Sequence, residues 1–185
     1  FDKDLKQFTE TNYNDEKTDL NTCFIKRSAS FSKEMGYVGM ITMQSWMFLS
    51  SYQKFREFLI KEKTINTMLQ LGTRAFDSIG GEVVSTTAFT LQNSFGSKNS
   101  DGIYFNLTEG KNEKEKVDLF SLIQQEKTSG KYEASSEDLK KIPGYPIAYW
   151  VSDRFRDLFK LDKKLGDVAS PRQGMATSDN KRFLR

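Results

Sequence analysis

A length of 185 residues is enough for one domain, or for one domain and part of a second. Hydrophobic residues make up 37% of the chain and include 15 Phe, which is enough to bury a core, and no apolar run approaches the ~20 residues of a membrane helix. The single Cys23 excludes an internal disulfide and indicates a reducing, cytoplasmic location, and a chain without His is a poor candidate for a zinc site.

The charge of the chain is small overall and unevenly distributed. A formal net charge of +3 does not by itself indicate a nucleic-acid partner. Residues 170–185 nevertheless contain three Arg, one Lys and only one acidic residue, Asp179, whereas the preceding part is close to balanced. The composition therefore predicts a basic C-terminal segment.

The first part of the chain predicts alternating helices and strands. After a polar, helical start, a helix begins near Thr18 and ends at Gly36. Its apolar residues fall near one face: Leu20, Phe24, Ile25, Phe31 and Met35. Residues 37–43 are apolar strand formers and predict a strand buried on both faces, as in a parallel sheet. A helix to about Lys61 and a strand at 64–71 follow, and this order predicts a crossover between parallel strands.

The second part begins with a long strand and becomes increasingly charged. Residues 82–92 follow a Gly-Gly turn with no helix in between, so this strand is predicted to run antiparallel to its neighbour. Residues 95–102 predict a hairpin loop, and residues 103–108 predict an edge strand. Beyond Lys111 the sequence predicts charged helices and linkers. The apolar positions of one amphipathic helix there are Val117, Leu119, Phe120 and Ile123.

The residues alone indicate few functions. No Gly-rich phosphate-binding loop is present, and without His there is no nucleophile–base pair of the usual kind. The residues alone therefore predict an α/β half-domain with a basic C-terminal segment, the tail, and no specific function.

Several long segments carry a resemblance that goes further. They are "GMITMQSWMFLSSYQKFREFL", "AFDSIGGEVVSTTAF", "IPGYPIAYWVSDRFRDLF" and "QGMATSDNKRFLR". Together, and in this order, they resemble the γ-class amino-methyltransferases of the Taq type, and most closely the PglX family of BREX phage-defence DNA adenine methyltransferases. The resemblance covers nearly the whole chain.

The resemblance implies a fold and a division of the chain. It implies an α/β fold, namely the C-terminal half of a Rossmann-like class I S-adenosylmethionine-dependent methyltransferase sheet, followed by a helical connector. Residues 1–110 would form the half-domain, residues 111–169 the connector, and residues 170–185 the start of a target-recognition domain. The family's Gly-containing cofactor loop and its NPPY-type catalytic loop do not occur in the sequence. We therefore expect an internal fragment that is inactive by itself and does not bind S-adenosylmethionine, the cofactor of the parent protein.

The resemblance also assigns roles to individual residues. Leu20 and Phe24 match positions that line the cofactor's adenine pocket, although core packing explains their spacing equally well. Phe76 matches an aromatic residue that stacks on the flipped target adenine; the alternative is packing against Val83. Trp46 is interpreted as structural, packing the following helix onto the sheet. The candidate DNA contacts in the tail are Arg172, Gln173, Thr177, Asn180, Lys181 and Arg182.

The implied partners are double-stranded DNA and other subunits of a defence system, with no membrane. Two alternatives stay open: a restriction–modification methyltransferase outside BREX, and a non-catalytic half-domain that binds DNA or a partner. The long charged segment 111–144 favours BREX, and an NPPY codon run upstream of Phe1 would distinguish a methyltransferase from a binding module. The residues that determine the DNA recognition sequence are expected to lie beyond Arg185. Because the first strands of the sheet are missing, we also expect an exposed edge through which the fragment self-associates.

Overall fold

A computed structural model describes residues 2–78, 84–94, 101–161, 165–170 and 172 of the chain. Within these residues, every helix is too short or too polar to cross a membrane.

The described residues form a mixed α/β structure. The longer helices are α1 (Lys3–Asn12), α2 (Leu20–Phe31), α3 (Gln53–Glu62) and α4 (Glu113–Gln124). The shorter helices are α5 (Ser136–Lys140), α6 (Asp153–Asp157) and α7 (Leu165–Val168), with 3-10 turns at Ser45–Met47, Ser50–Tyr52 and Leu158–Lys160. The strands are β1 (Tyr37–Met43), β2 (Thr64–Gly72), β3 (Thr86–Gln92), β4 (Gly102–Asn106) and β5 (Lys131–Ala134).

The strands form one sheet in the order β1-β3-β2-β4-β5. Strand β3 lies between β1 and β2 and runs antiparallel to both, which confirms its predicted direction. β1 and β2 consequently run parallel to each other, as the strand–helix–strand pattern predicts, but they are not neighbours. The fold class predicted from the sequence, half of a methyltransferase sheet, matches this arrangement.

The prediction of a hairpin between β3 and β4 is wrong. β4 pairs parallel with β2 and antiparallel with β5, so it lies inside the sheet and not at its edge. Residues 95–100 of the predicted hairpin loop lie outside the described residues. Gly102 shows why β4 fits here, since a Cβ at this position would collide with the carbonyl oxygen of Ile65 in β2.

Trp46 lies within the main hydrophobic core, which packs on one face of the sheet. Its ring is fully buried and makes edge-on contacts with Phe55 of α3 and Phe89 of β3, at centroid distances of 5.7 and 5.4 Å. Its Nε1 donates to Oγ1 of Thr42 at 3.0 Å. The predicted structural role of Trp46, joining the helix to the sheet, is therefore confirmed.

Two predictions about burial are wrong. Alternate residues of β1, including Tyr37 and Ile41, are exposed, so this strand is covered on one face only. In α2 the buried residues are Thr22, Cys23, Ile25 and Ala29. Phe24 and Phe31 of the predicted apolar face point into solvent. Both observations leave apolar surface uncovered beside β1.

The segment predicted as a connector joins the same sheet. It contributes β5 and also α4, which packs on the second face through Ile123 and Phe120. Further along, Tyr149 stacks on Tyr104 of β4, with centroids 4.8 Å apart and planes 12° apart. The division of the chain at residues 110 and 169 stays a prediction.

Candidate base-binding pocket

A cavity of about 360 Å³ lies beside the carboxyl ends of the parallel strands β2 and β4. Its lining is mostly apolar: Leu69, Leu71, Ala75, Phe76, Leu107, Glu113, Lys116, Val117 and Phe120. Ligands of α/β sheets commonly bind where parallel strands end, and volumes of about 300–1,000 Å³ are usual for small-molecule sites. Its position and size make this cavity the strongest candidate site among the described residues.

The floor of the pocket is a small second core between the sheet and α4. Phe105 of β4 and Phe120 of α4 meet edge to face at 4.9 Å, and Leu107 and Ile123 are buried with them. Helix α4 lies here because its apolar residues recur at helical spacing and cover the sheet face opposite Trp46. The floor is therefore apolar and buried.

Lys116 closes the end of the pocket nearest the strand termini. Its side chain is buried, and Nζ donates to the carbonyl oxygens of Leu71, Leu107 and Gly110 at 2.6, 3.2 and 2.6 Å. Burial lowers the pKa of this ammonium group from its ordinary value. With three acceptors the amine is fully used in holding backbone, so its role here is structural.

Phe76 forms one wall of the pocket. It is half-buried, and it follows a tight loop after β2 in which Gly72 and Arg74 both have positive φ, +68° and +56°. The alternative partner Val83 lies outside the described residues. The remaining lining offers little reactive chemistry, since Lys116 is engaged and Glu113 is exposed at the rim. An apolar pocket with an aromatic wall is suited to binding a flat ring.

The other predicted site residues lie elsewhere. Leu20 and Phe24 are on α2; Leu20 is partly buried, and Phe24 is 61% exposed. Arg172 is exposed. Gln173, Thr177, Asn180, Lys181 and Arg182 lie outside the described residues. Among the described candidates, only Phe76 lines the pocket; Leu20, Phe24 and Arg172 do not.

Sequence reasoning missed most of the pocket lining. Lys116 had a detectable signal, because it shares a helical face with Phe120 and Ile123 at spacings of four and seven. A lysine on an apolar stripe is unusual and indicates a buried, satisfied charge. Leu107 carried no such signal, because its place depends on where β4 inserts.

The fold of the chain matches that of solved methyltransferases. The methyltransferase subunit of a type I restriction-modification system from Streptococcus thermophilus superposes with a TM-score of 0.56, over 78% of this chain and 34% of that chain, at 13% sequence identity. Residues 1–76 match the family model described as Eco57I restriction-modification methylase. The fold is thus that of the class I methyltransferases found in restriction–modification systems.

The chain is more similar in sequence to two adenine-specific methyltransferases. The chain is 38% identical over 185 residues to an adenine-specific methyltransferase PglX from Lacticaseibacillus casei (strain Zhang), covering 99% of this chain and 15% of that protein. It is 40% identical over 170 residues to an adenine-specific methyltransferase BrxX from Escherichia coli O9:H4 (strain HS), covering 90% of this chain and 13% of that protein. The chain is therefore a relative of the PglX and BrxX methyltransferases, and it spans a small part of their length.

Proposed function

We propose that this chain is one segment of an adenine-specific DNA methyltransferase, and that the pocket beside Phe76 receives the target adenine. The relationship to PglX and BrxX supports the activity, and the methyltransferase fold is consistent with it. The observation that carries the proposal is the position of Phe76, whose half-buried ring walls an apolar pocket where parallel strands end.

The proposed reaction places simple demands on this pocket. An enzyme that modifies the exocyclic amine of adenine must take the base out of the duplex. Stacking on an aromatic side chain offsets roughly 1–3 kcal/mol of that cost. Leu71 and Phe120 present an apolar surface on which the flipped base displaces water. The segment would therefore hold and orient the base, while proximity to the methyl donor supplies the rate.

The cofactor of the parent would be S-adenosylmethionine, which supplies the methyl group. Leu20 and Phe24 fit one wall of its adenine pocket, because a largely exposed Phe and a partly buried Leu are four residues apart on α2 and share a helix face. One wall gives little affinity, so the isolated chain should not bind the cofactor. Calorimetry with the purified chain tests this, and micromolar binding would show a more complete pocket.

The basic tail would contact DNA in the parent. Arg172 is exposed, and Arg and Lys side chains bind phosphates while Asn and Gln read base edges. Gln173, Thr177, Asn180, Lys181 and Arg182 complete the proposed set. We further propose that the parent acts in the cytoplasm on double-stranded DNA, together with other subunits of a phage-defence system.

A second function is favoured by one observation. The outer edge of β1 has no strand partner among the described residues, and Tyr37, Ile41 and Met43 beside it are exposed. Such a surface is suited to binding another polypeptide. A non-catalytic half-domain that binds DNA or a partner subunit would use it directly.

Methyl transfer by the full-length protein distinguishes the two functions. If the protein is a methyltransferase, incubating it with DNA and radiolabelled S-adenosylmethionine should convert adenine to N6-methyladenine. The gene should then also encode an NPPY-type loop upstream of Phe1. A full-length protein that binds DNA but leaves adenine unmodified would instead support the binding module.

A further inference from the structure

The loop that carries Phe76 is tied to α4 by a reciprocal pair of hydrogen bonds. The backbone N–H of Asp77 donates to Oε1 of Glu113 at 2.7 Å, and the backbone N–H of Glu113 donates to Oδ1 of Asp77 at 3.2 Å. The two residues are 36 positions apart in the sequence. The bonds therefore join two separate segments, and they do so at the rim of the pocket.

Helix α4 is capped without this tie. The side chain of Asn112 accepts from the N–H of Glu115 at 2.8 Å, and the Glu115 carboxylate accepts from the N–H of Lys111 at 2.8 Å. The Asp77 carboxylate occupies the end of the helix where the macrodipole favours negative charge. Because local capping is already present, the specific effect of the tie is to fix the position of the loop.

The same loop is held at its other end. Gly72 ends β2 with φ +68°, and a side chain there would press against Thr108 at 3.0 Å. Arg74 adopts φ +56°, a conformation that a residue with a Cβ keeps only where its surroundings impose it. Phe76 lies between these two fixed ends. The ring is thus presented to the pocket by a loop with little freedom.

We propose that Asp77 and Glu113 are positioning residues, which hold Phe76 at the pocket wall and make α4 part of the base-binding site. This inference rests on the proposed function, in which Phe76 stacks on the target adenine. A displacement of about 1 Å in a positioning group can lower a reaction rate by about a hundredfold. Both residues are exposed, so their substitution leaves the core intact.

Hydrogen exchange in the full-length protein tests the geometric part. Glu113→Ala should accelerate exchange of the backbone amides of residues 73–78 by about tenfold or more. Glu113→Gln should leave exchange unchanged, because its amide oxygen still accepts from Asp77. Asp118→Ala is the matched control, since it removes an exposed carboxylate from the same helix without touching the loop or the helix cap. Unchanged exchange in Glu113→Ala would overturn the proposal.

Methylation kinetics test whether this positioning affects the reaction. The methylated site is first identified by sequencing modified bases in DNA treated with the full-length protein, and a duplex that contains this site then serves as the substrate. Asp77→Ala and Glu113→Ala should each lower kcat/KM by about tenfold to a hundredfold, and the double variant should lose little more. Glu113→Gln should keep kcat/KM close to that of the wild-type protein, because its amide oxygen still accepts from the N–H of Asp77. In a Phe76→Ala background, Glu113→Ala should have no further effect.

The outcomes separate the inference from the function on which it rests. Equal losses from Glu113→Ala with and without Phe76 would overturn the positioning role while leaving the methyltransferase proposal intact. Wild-type kinetics in both alanine variants would do the same. A wild-type protein that methylates no adenine would overturn the proposed function, and the positioning role with it.

Discussion

The ammonium group of Lys116 donates a 2.6 Å hydrogen bond to the carbonyl oxygen of Leu71, at the end of β2 beside the pocket. The same amine binds the carbonyl oxygens of Leu107 and Gly110, which follow β4. One side chain of α4 thus holds together the ends of two parallel strands. The shape of the pocket depends on this contact, because Leu71 and Leu107 both line it.

Lys116→Met should therefore destabilise the chain. It removes the charged donor from three carbonyl oxygens, of which only that of Leu107 is known to keep another donor, the N–H of Gly110. Hydrogen bonds to charged groups contribute about 1.5–3 kcal/mol, so we expect a loss of about 3 kcal/mol in the free energy of unfolding. Urea denaturation measures it. Lys114→Met, at an exposed position of the same helix, should change stability by less than about 0.5 kcal/mol. Equal stability of the two variants would show that the Lys116 contact is dispensable.

Asp138 should make the free energy of unfolding decrease at low pH. Burial raises the pKa of this carboxyl group, but hydrogen bonds from Lys141 and Ser135 outweigh it and lower the pKa to about 2. Since the folded-state pKa lies below the unfolded value, the stabilisation is present above pH 4 or so and is lost as pH falls towards 2. Asp138→Asn should cost roughly 2 kcal/mol at pH 7 and much less near pH 2. Denaturation at both pH values checks this, with exposed Asp118→Asn as the control; a cost independent of pH would contradict it.

The outer edge of β1, which has no strand partner among the described residues, should cause the isolated chain to self-associate. Exposed apolar edge strands recruit further chains, and a charged side chain at the edge prevents this. Ile41→Lys should therefore shift the chain towards monomer in sedimentation velocity. Leu122→Lys, which places the same charge at an exposed apolar site on α4, should leave association unchanged. A wild-type chain that stays monomeric at all concentrations would count against an accessible edge.

The sequence predicted what local patterns determine. The direction of β3 followed from a short Gly-Gly turn, which acts over a few residues, whereas the structural role of Trp46 came from the family resemblance. The position of β4 could not be predicted in this way. It depends on the close approach of Gly102 to Ile65 of β2, a long-range contact that local sequence patterns do not indicate. Phe24 was misplaced for a related reason: helical periodicity gives neighbouring faces but not which face meets the sheet.

The candidate site was predictable only in part. Phe76 came from resemblance to a family, whereas a second wall of the pocket comes from α4, a helix more than thirty residues further along the chain. Lys116 was visible as a charge on an apolar stripe. The carbonyl oxygens that it binds converge only when β2 and β4 pair in parallel.

The most direct test of the account is the paired measurement of methylation efficiency and melting temperature for Phe76→Ala and Phe76→Trp in the full-length protein, with Phe8→Ala on α1 as a control for loss of an exposed ring. Phe76→Ala should lower kcat/KM by about tenfold to a hundredfold, the equivalent of losing roughly 1–3 kcal/mol of stacking, while the melting temperature stays close to wild type. Phe76→Trp keeps an aromatic face and should keep most of the activity. If Phe76 is only a packing residue, Phe76→Ala should instead cost about 3–5 kcal/mol of stability, and the folded fraction should methylate normally. That second pattern would contradict the base-stacking role.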